Sequence, residues 1–226
     1  MLTNKVMEHI SSQLMHLVVV FLPFLLGIIL HEISHGFAAL KCGDPTARMM
    51  GRLTLNPLPH IDPVGLGCFV VTSLFTPFVF GWAKPVPVNP RYFRNYRRDI
   101  LLVSAAGPAC NFLLAVLLAL LLRLLLLAPN DFILHSNIGN FFLQMLLGGI
   151  SANLVLGWFN LLPIPPLDGG HILQCLLPYR MASSLDRIGK TGFIILVVLL
   201  ACGALNYVLM PILNLSFKAM LSLAGI

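Results

Sequence analysis

Long runs without a charged side chain dominate the sequence and restrict what it can fold into. No Asp, Glu, Lys or Arg occurs in five segments: His9–Leu30, Pro63–Ala83, Ile100–Leu122, Phe132–Leu167 and Thr191–Phe217. A helix that crosses a bilayer needs about 20 consecutive apolar residues. Of the 226 residues, 10% are charged and 58% are hydrophobic, whereas about a quarter of a soluble domain is charged. Lipid is therefore the expected solvent for most of the chain.

The sequence predicts an all-α polytopic membrane protein, a single domain over residues 1–226 with four to six transmembrane helices. Four segments are long and apolar enough to span a bilayer: about 13–40, 100–127, 138–162 and 191–216. A further apolar segment, 64–82, contains three glycines and a proline among β-branched and aromatic residues. It could cross the membrane, re-enter it or form a β-hairpin.

Basic residues are distributed unevenly over the polar segments. Lys and Arg occur in 41–62, 84–99 and 163–190 but not in 128–137. The positive-inside rule predicts that the first three face the cytoplasm and that 128–137 lies outside the cell membrane. Segment 64–82 would then enter and leave on the cytoplasmic side, with the N-terminus outside. The net charge of +6 indicates contact with lipid headgroups, and no nucleic-acid partner is expected.

The first apolar segment ends in a metal-binding motif, His31-Glu32-Ile33-Ser34-His35. Residues four apart share one face of a helix, so both imidazoles can reach a single ion, with Glu32 beside a bound water. A carboxylate inside an apolar helix is costly and marks a functional site. The alternative is a pair of buried histidines bonded to backbone carbonyls, with Glu32 protonated. The motif favours the metal site.

A catalytic zinc site needs a third protein ligand. Asp168 is the one acid between Asp131 and Asp186, and it follows the proline-rich stretch 163–167. Prolines end the preceding helix, and the glycines after Asp168 allow a sharp turn behind the carboxylate. The alternative role of Asp168 is the N-cap of a helix over 171–177. The predicted topology places both motifs toward the cytoplasmic side, which favours the ligand.

Three motifs together resemble the site-2 protease family of intramembrane metalloproteases. They are His31 to His35, Gly107-Pro108-Ala109-Cys110-Asn111, and Asn160 through Leu167-Asp168-Gly169. The stretches Gly51–Pro57 and Gly81–Pro85 further resemble a compact prokaryotic branch without appended domains.

The resemblance implies one Zn²⁺ per chain on His31, His35 and Asp168, with Glu32 as base. The implied reaction is hydrolysis of peptide bonds within or near transmembrane segments of substrate proteins, inside the lipid bilayer. It also implies that Asn160 steadies the oxyanion. A helix C-cap or an interhelical hydrogen bond is an equal alternative for Asn160.

Other polar residues receive structural interpretations. Asn111 with Gly107 is typical of close helix packing with an interhelical amide bond. His60 is expected in a loop, and His171 either supports the metal ligands or contacts headgroups. Segment 64–82 could offer an edge strand that holds an extended substrate, and proline substitutions along 68–76 would then impair cleavage.

Two other functions remain open from the residues alone. A membrane zinc protease of another family usually carries a large soluble domain, and none is visible in the sequence. A metal or proton transporter could use the same His, Glu and Asp cluster, but it would need more intramembrane acids than Glu32 and Asp168.

Overall fold

The computed structural model describes residues 2–75, 81–127 and 136–226. These ranges contain the helices α1 (Leu2–Lys41), α2 (Thr46–Met49), α3 (Pro63–Phe75), α4 (Tyr96–Leu126), α5 (Asn137–Asn160), α6 (Asp168–Leu176), α7 (Tyr179–Ala201) and α8 (Ala204–Ala224). Short 3-10 turns cover Leu58–His60 and Pro90–Tyr92. No β-strand occurs in the described ranges apart from an isolated bridge, which confirms the all-α class.

Four helices are long and apolar enough to cross a membrane. They are Phe21–Lys41 within α1, together with α4, α5 and α8. The prediction of a polytopic membrane protein is therefore confirmed.

Polar residues start two of these helices. The side chain of Asn95 accepts a hydrogen bond from the backbone N–H of Arg98 and caps α4. Ser136 caps α5 through the N–H of Gly139 in the same way. Such caps satisfy N–H groups that have no partner inside the first turn of a helix.

Helices α1, α4 and α5 pack against one another and form the core. Small residues allow this close approach: Ala115 and Ala119 of α4 are fully buried, and a Cβ on Gly149 of α5 would lie 2.9 Å from Leu118. Helix α8 joins the same cluster through the buried Ala224. Small residues at helix contacts are the usual basis of transmembrane packing, because lipid gives no hydrophobic drive between helices.

Segment 64–82 is helical where it is described. Helix α3 has 13 residues and extends about 20 Å, which is short of the ~30 Å hydrocarbon core. Ile61 pairs with Ala83, so the chain returns beside its point of departure, as expected of a re-entrant element. Residues 76–80 lie outside the described ranges. The expected edge strand in 64–82 is wrong as far as Phe75, because this part forms helix.

An N-cap explains why α3 is helical despite its glycines. Oδ1 of Asp62 accepts from the N–H groups of Val64 and Gly65 at 3.0 and 2.9 Å, and the proline that follows Asp62 fits the first helical position. A Cβ on Gly65 would overlap the backbone carbonyl of Trp82. This glycine therefore allows the returning chain to lie on α3, and does not break the helix.

The predicted span over 191–216 is wrong as a single helix. Helix α7 ends at Ala201 and α8 starts at Ala204, with Gly203 between them at φ 72°. A glycine in the left-handed region ends a helix without the strain that a Cβ would cause. The uncharged composition of the run conceals this break. Of these two helices, α8 is long and apolar enough to cross a membrane, and α7 is a separate element.

Helix α7 contacts the proline loop, residues 161–167, at very close range. A Cβ on Gly192 would overlap the carbonyl oxygen of Pro165, which belongs to the backbone and cannot rotate away. A Cβ on Gly189 would lie 3.6 Å from Cβ of Pro165, an ordinary van der Waals contact. Gly192 therefore has no space for a side chain beside Pro165, whereas Gly189 has space for a methyl group.

We expect Gly192→Ala to destabilise the fold by about 1–3 kcal/mol, the usual cost of overpacking. Gly189→Ala is the matched control, and it should keep or slightly raise the unfolding midpoint because alanine favours helix. Thermal unfolding of both variants in detergent, followed by circular dichroism, measures the difference. Equal midpoints would contradict the close contact between α7 and the proline loop.

Candidate metal centre

The two histidines of the motif lie together on α1. Their Nε2 atoms are 3.0 Å apart, and the ring planes meet at 84°. The four-residue spacing places both rings on the face of α1 that packs against α4, and His31 is buried. The helix therefore aims two imidazole nitrogens at one point, as the sequence predicts.

Asp168 reaches the same point from a different part of the chain. Its Oδ2 lies 3.2 Å from Nε2 of His31 and 3.3 Å from Nε2 of His35. Asp168 is the first residue of α6, and the cap position belongs to Leu167, which makes no side-chain cap bond. The alternative role of Asp168 as an N-cap is wrong, and its carboxylate faces the histidines.

Two glycines fix the direction of the Asp168 carboxylate. A Cβ on Gly169 would overlap the carbonyl of Leu161, and a Cβ on Gly170 would lie 2.6 Å from the backbone nitrogen of Pro165. The start of α6 therefore lies directly on the proline loop, with no room for a side chain between them. This contact places Asp168, in the first turn of α6, beside the two histidines of α1.

Hydrogen bonds at the far side of each ring determine the tautomers. Nδ1 of His35 lies 2.7 Å from the carbonyl oxygen of Val103, which can only accept, so this nitrogen carries the proton. Nδ1 of His31 lies 2.5 Å from Oδ1 of Asn111. In the neutral form of each ring, the other nitrogen, Nε2, has its lone pair directed at the shared point.

The orientation of Asn111 follows from its own partners. Its Nδ2 donates to the carbonyl of Gly27 at 3.2 Å and to Oδ1 of Asn153 at 2.9 Å. Nδ2 of Asn153 in turn donates to the carbonyl of Gly149 at 2.9 Å. Both amides are buried and bonded, so Asn111 must direct its oxygen at His31.

This network extends the role predicted for Asn111. The amide does bond across helices, but it also orients His31, as the groups behind metal-binding histidines commonly do. Asn153 was not singled out in the sequence. The feature that could have identified Asn153 is its position inside the apolar run Phe132–Leu167. The sequence alone does not show which helix its side chain faces.

The residues present fit a zinc ion. Three atoms that can bind a metal, the two Nε2 atoms and Oδ2 of Asp168, meet at 3.0 to 3.3 Å, and Oδ2 of Asp168 is buried. A cation among two imidazole nitrogens and a carboxylate is electrostatically favourable, and a metal ion supplies that charge. Tetrahedral zinc with bonds of about 2.0–2.1 Å separates its ligands by about 3.3–3.4 Å.

Gly107 of α4 leaves space at this point. A Cβ there would lie 2.5 Å from Nε2 of both His31 and His35. Any side chain would therefore occupy the region where the three acceptor atoms meet. The sequence interpretation of Gly107 as a packing residue was incomplete, because its missing side chain also shapes the metal centre.

Glu32 lies on α1 beside the centre and bonds a different part of the chain. Its Oε2 accepts a hydrogen bond from the backbone N–H of Val86 at 2.7 Å. Val86 belongs to an extended segment, residues 83–86, which we call the strap. The bond holds one carboxylate oxygen, and the other can accept a proton.

The sequence interpretation also singled out Asn160, His60 and His171, and each of these lies in its own surroundings. Asn160 ends α5, and its Nδ2 donates to the carbonyl of Leu156 at 3.0 Å, a bond within its own helix. His60 is fully buried, with Nε2 3.0 Å from the carbonyl of Thr54. His171 is exposed on α6. The groups that bond Nδ1 of the two motif histidines are Asn111 and a backbone carbonyl, and His171 is not among them.

Known proteins resemble this chain over most of its length. The sequence model of peptidase family M50 matches residues 19–202. YwhC of Bacillus subtilis is 39% identical over 202 residues, which are 89% of this chain and 89% of YwhC. Rip2 of Mycolicibacterium smegmatis is 36% identical over 194 residues, which are 84% of this chain and 69% of Rip2.

A more distant relative is MJ0392 of Methanocaldococcus jannaschii, which is 23% identical over 190 residues, 83% of this chain and 43% of MJ0392. The names of all three relatives include the words zinc metalloprotease. No solved structure gives a significant match to the chain. These matches do not favour the transporter alternative. The chain belongs to peptidase family M50, the site-2 proteases, and is an intramembrane zinc metalloprotease.

Proposed function

We propose that His31, His35 and Asp168 hold one zinc ion per chain through two Nε2 atoms and one carboxylate oxygen. The support is the convergence of these three atoms at 3.0 to 3.3 Å. Three protein ligands leave a fourth tetrahedral position for water or substrate, as in other catalytic zinc sites. The cysteines of the chain are not part of this set.

Glu32 acts as the general base in this proposal. A bound zinc ion supplies Lewis acidity, which polarises the scissile carbonyl and lowers the pKa of a bound water to about 7. One oxygen of Glu32 is held by the N–H of Val86. The other takes the proton of the attacking water and later gives it to the leaving amine.

We assign Asn160 to stabilisation of the oxyanion. Its amide nitrogen carries two N–H bonds, and the contact with the carbonyl of Leu156 uses one of them. Asn160 also begins the connection to the proline loop, which carries Asp168 to the centre. A neutral donor in apolar surroundings is well suited to stabilise negative charge that develops during the reaction.

The depth of the site supports a substrate that lies in the membrane. His31 precedes the end of α1 at Lys41 by about ten residues, or ~15 Å of helix. We propose that the substrate is a transmembrane segment of another protein, unwound locally so that its carbonyls are accessible. The lipid bilayer is then the shared solvent of enzyme and substrate.

We propose that the centre lies toward the cytoplasmic face of the cell membrane. The N–H of Asn89 donates to Asp44, and Arg97 donates to the carbonyl of Leu177, so the three basic segments meet at one end of the molecule. The positive-inside rule assigns that end to the cytoplasm. Most of the segment expected outside, 128–137, lies outside the described ranges.

Removal of the base should separate metal binding from catalysis. We expect Glu32→Gln to retain zinc and lose at least about 10²-fold in kcat, since general acid–base groups contribute about 10²–10⁴-fold. The assay is cleavage of a labelled transmembrane peptide by the purified protein in liposomes, with zinc measured by mass spectrometry. Wild-type activity in the Glu32→Gln protein would assign the base to another residue.

A methyl group at Gly107 should exclude the metal from the centre. Its Cβ would lie 2.5 Å from both histidine nitrogens, so we expect Gly107→Ala to bind zinc about 100-fold more weakly, at the upper end of losses for perturbed sites. Gly148→Ala is the matched control, because it adds the same methyl group to α5 away from the histidine nitrogens. Its Cβ would lie 3.3 Å from the carbonyl of Val19. Titration with a competing chelator measures both affinities, and full zinc affinity in Gly107→Ala would place the ion elsewhere.

A further inference from the structure

We infer that Arg52 is the counter-charge of Glu32 and positions its carboxylate through the peptide group between Pro85 and Val86. Arg52 lies in the loop after α2, outside the sequence motifs that carry the metal centre. The inference rests on the proposed role of Glu32 as the base. It adds a positioning residue that itself does not touch the reacting atoms.

The two charged side chains bond opposite ends of one peptide group. Nη2 of Arg52 donates to the carbonyl oxygens of Lys84 and Pro85 at 2.7 and 3.3 Å. The N–H of Val86 donates to Oε2 of Glu32 at 2.7 Å. Because the carbonyl of Pro85 and the N–H of Val86 belong to the same peptide, the cation, the peptide and the anion lie in series.

The orientation of this peptide is favourable at both ends. A peptide group has a dipole of about 3.5 D, with its negative end at oxygen and its positive end at N–H. Here the oxygen faces the guanidinium and the N–H faces the carboxylate. Hydrogen bonds linked in this way polarise one another in a low-dielectric interior, so the guanidinium strengthens the bond that holds Glu32.

Burial explains why Arg52 needs a counter-charge. Arg52 is 7% exposed and Val86 is 6% exposed. Among the residues that the structure describes, the recorded ion pairs involve His31, His35 and Arg98, and none joins Arg52 to a carboxylate. A buried cation without an anion is strongly destabilising. The peptide-bridged contact to Glu32 supplies that anion.

Further contacts fix the position of the strap. The N–H of Lys84 donates to the carbonyl of His60 at 2.8 Å, and Ala83 pairs with Ile61. A Cβ on Gly36 would lie 3.0 Å from Cγ1 of Val86, so the strap lies directly against α1. The position of the donor to Glu32 is thus fixed by His60, Ile61 and α1 together with the two bonds from Arg52.

Three variants test the inference in the zinc-loaded full chain. Arg52→Gln removes the cation, and Arg52→Lys keeps a charged donor for the same carbonyls. Arg48→Gln is the matched control, because Arg48 is exposed on α2. We expect Arg52→Gln to lower kcat about 10- to 100-fold, as loss of groups that orient catalytic residues does, with KM and zinc content unchanged. Arg52→Lys should recover part of kcat, and Arg48→Gln should behave as wild type.

A double-mutant cycle with Val86→Pro shows whether Arg52 acts through the peptide. Proline deletes the N–H that bonds Glu32 but leaves Arg52 in place. If both act through one bond, the double variant should be no slower than Val86→Pro alone. Additive losses, or wild-type kcat in Arg52→Gln, would overturn the inference. If Arg52→Gln does not fold, the double variant of Arg52→Lys and Val86→Pro decides: a kcat below that of Val86→Pro alone would overturn the inference.

The outcomes for the inference and for the function are distinct. If the wild-type chain cleaves the peptide and the Arg52→Gln variant is equally active, the inference is contradicted and the proposed function is not. A wild-type chain that binds zinc but cleaves nothing contradicts the proposed function itself.

Discussion

The convergence of three side-chain atoms that can bind one metal ion is the constraint around which the rest of this structure is arranged. Nε2 of His31, Nε2 of His35 and Oδ2 of Asp168 lie within 3.3 Å of one another, a spacing that suits the ligands of one tetrahedral zinc ion. Other groups maintain it. Asn111 and the carbonyl of Val103 hold the ring protons on the far side, and the absent side chain of Gly107 keeps the space open.

The apolar surroundings make every polar group near the centre dependent on a partner. In lipid, an unsatisfied amide or charge costs several kcal/mol. Asn111 and Asn153 meet this demand by bonding each other and backbone carbonyls. Glu32 meets it through the strap, where a backbone N–H supplies the bond. The centre is thus supported by helices on one side and by a loop and an extended segment on the other.

Local patterns predicted much of the site, and long-range contacts were beyond them. His31 and His35 share a helix face, so their spacing alone brings them together. Asp168 was identifiable as an isolated acid after a proline-rich stretch. The strap bond to Glu32 and the orientation of Asn111 depend on segments far apart in the chain, and no spacing rule encodes such contacts. In the fold, composition predicted the membrane helices but concealed the break at Gly203 and the helix of α3, because hydropathy does not register backbone conformation or caps.

Zinc-edge X-ray absorption of the purified, zinc-loaded chain measures the coordination directly. Four nitrogen or oxygen neighbours at about 2.0–2.1 Å, with outer-shell scattering from two imidazoles, are expected for His31, His35, Asp168 and one water. Asp168→Ala should change that first shell or lose the metal. A sulfur neighbour at about 2.3 Å, or a spectrum and zinc content unchanged by Asp168→Ala, would contradict the convergence of these three side chains on one ion.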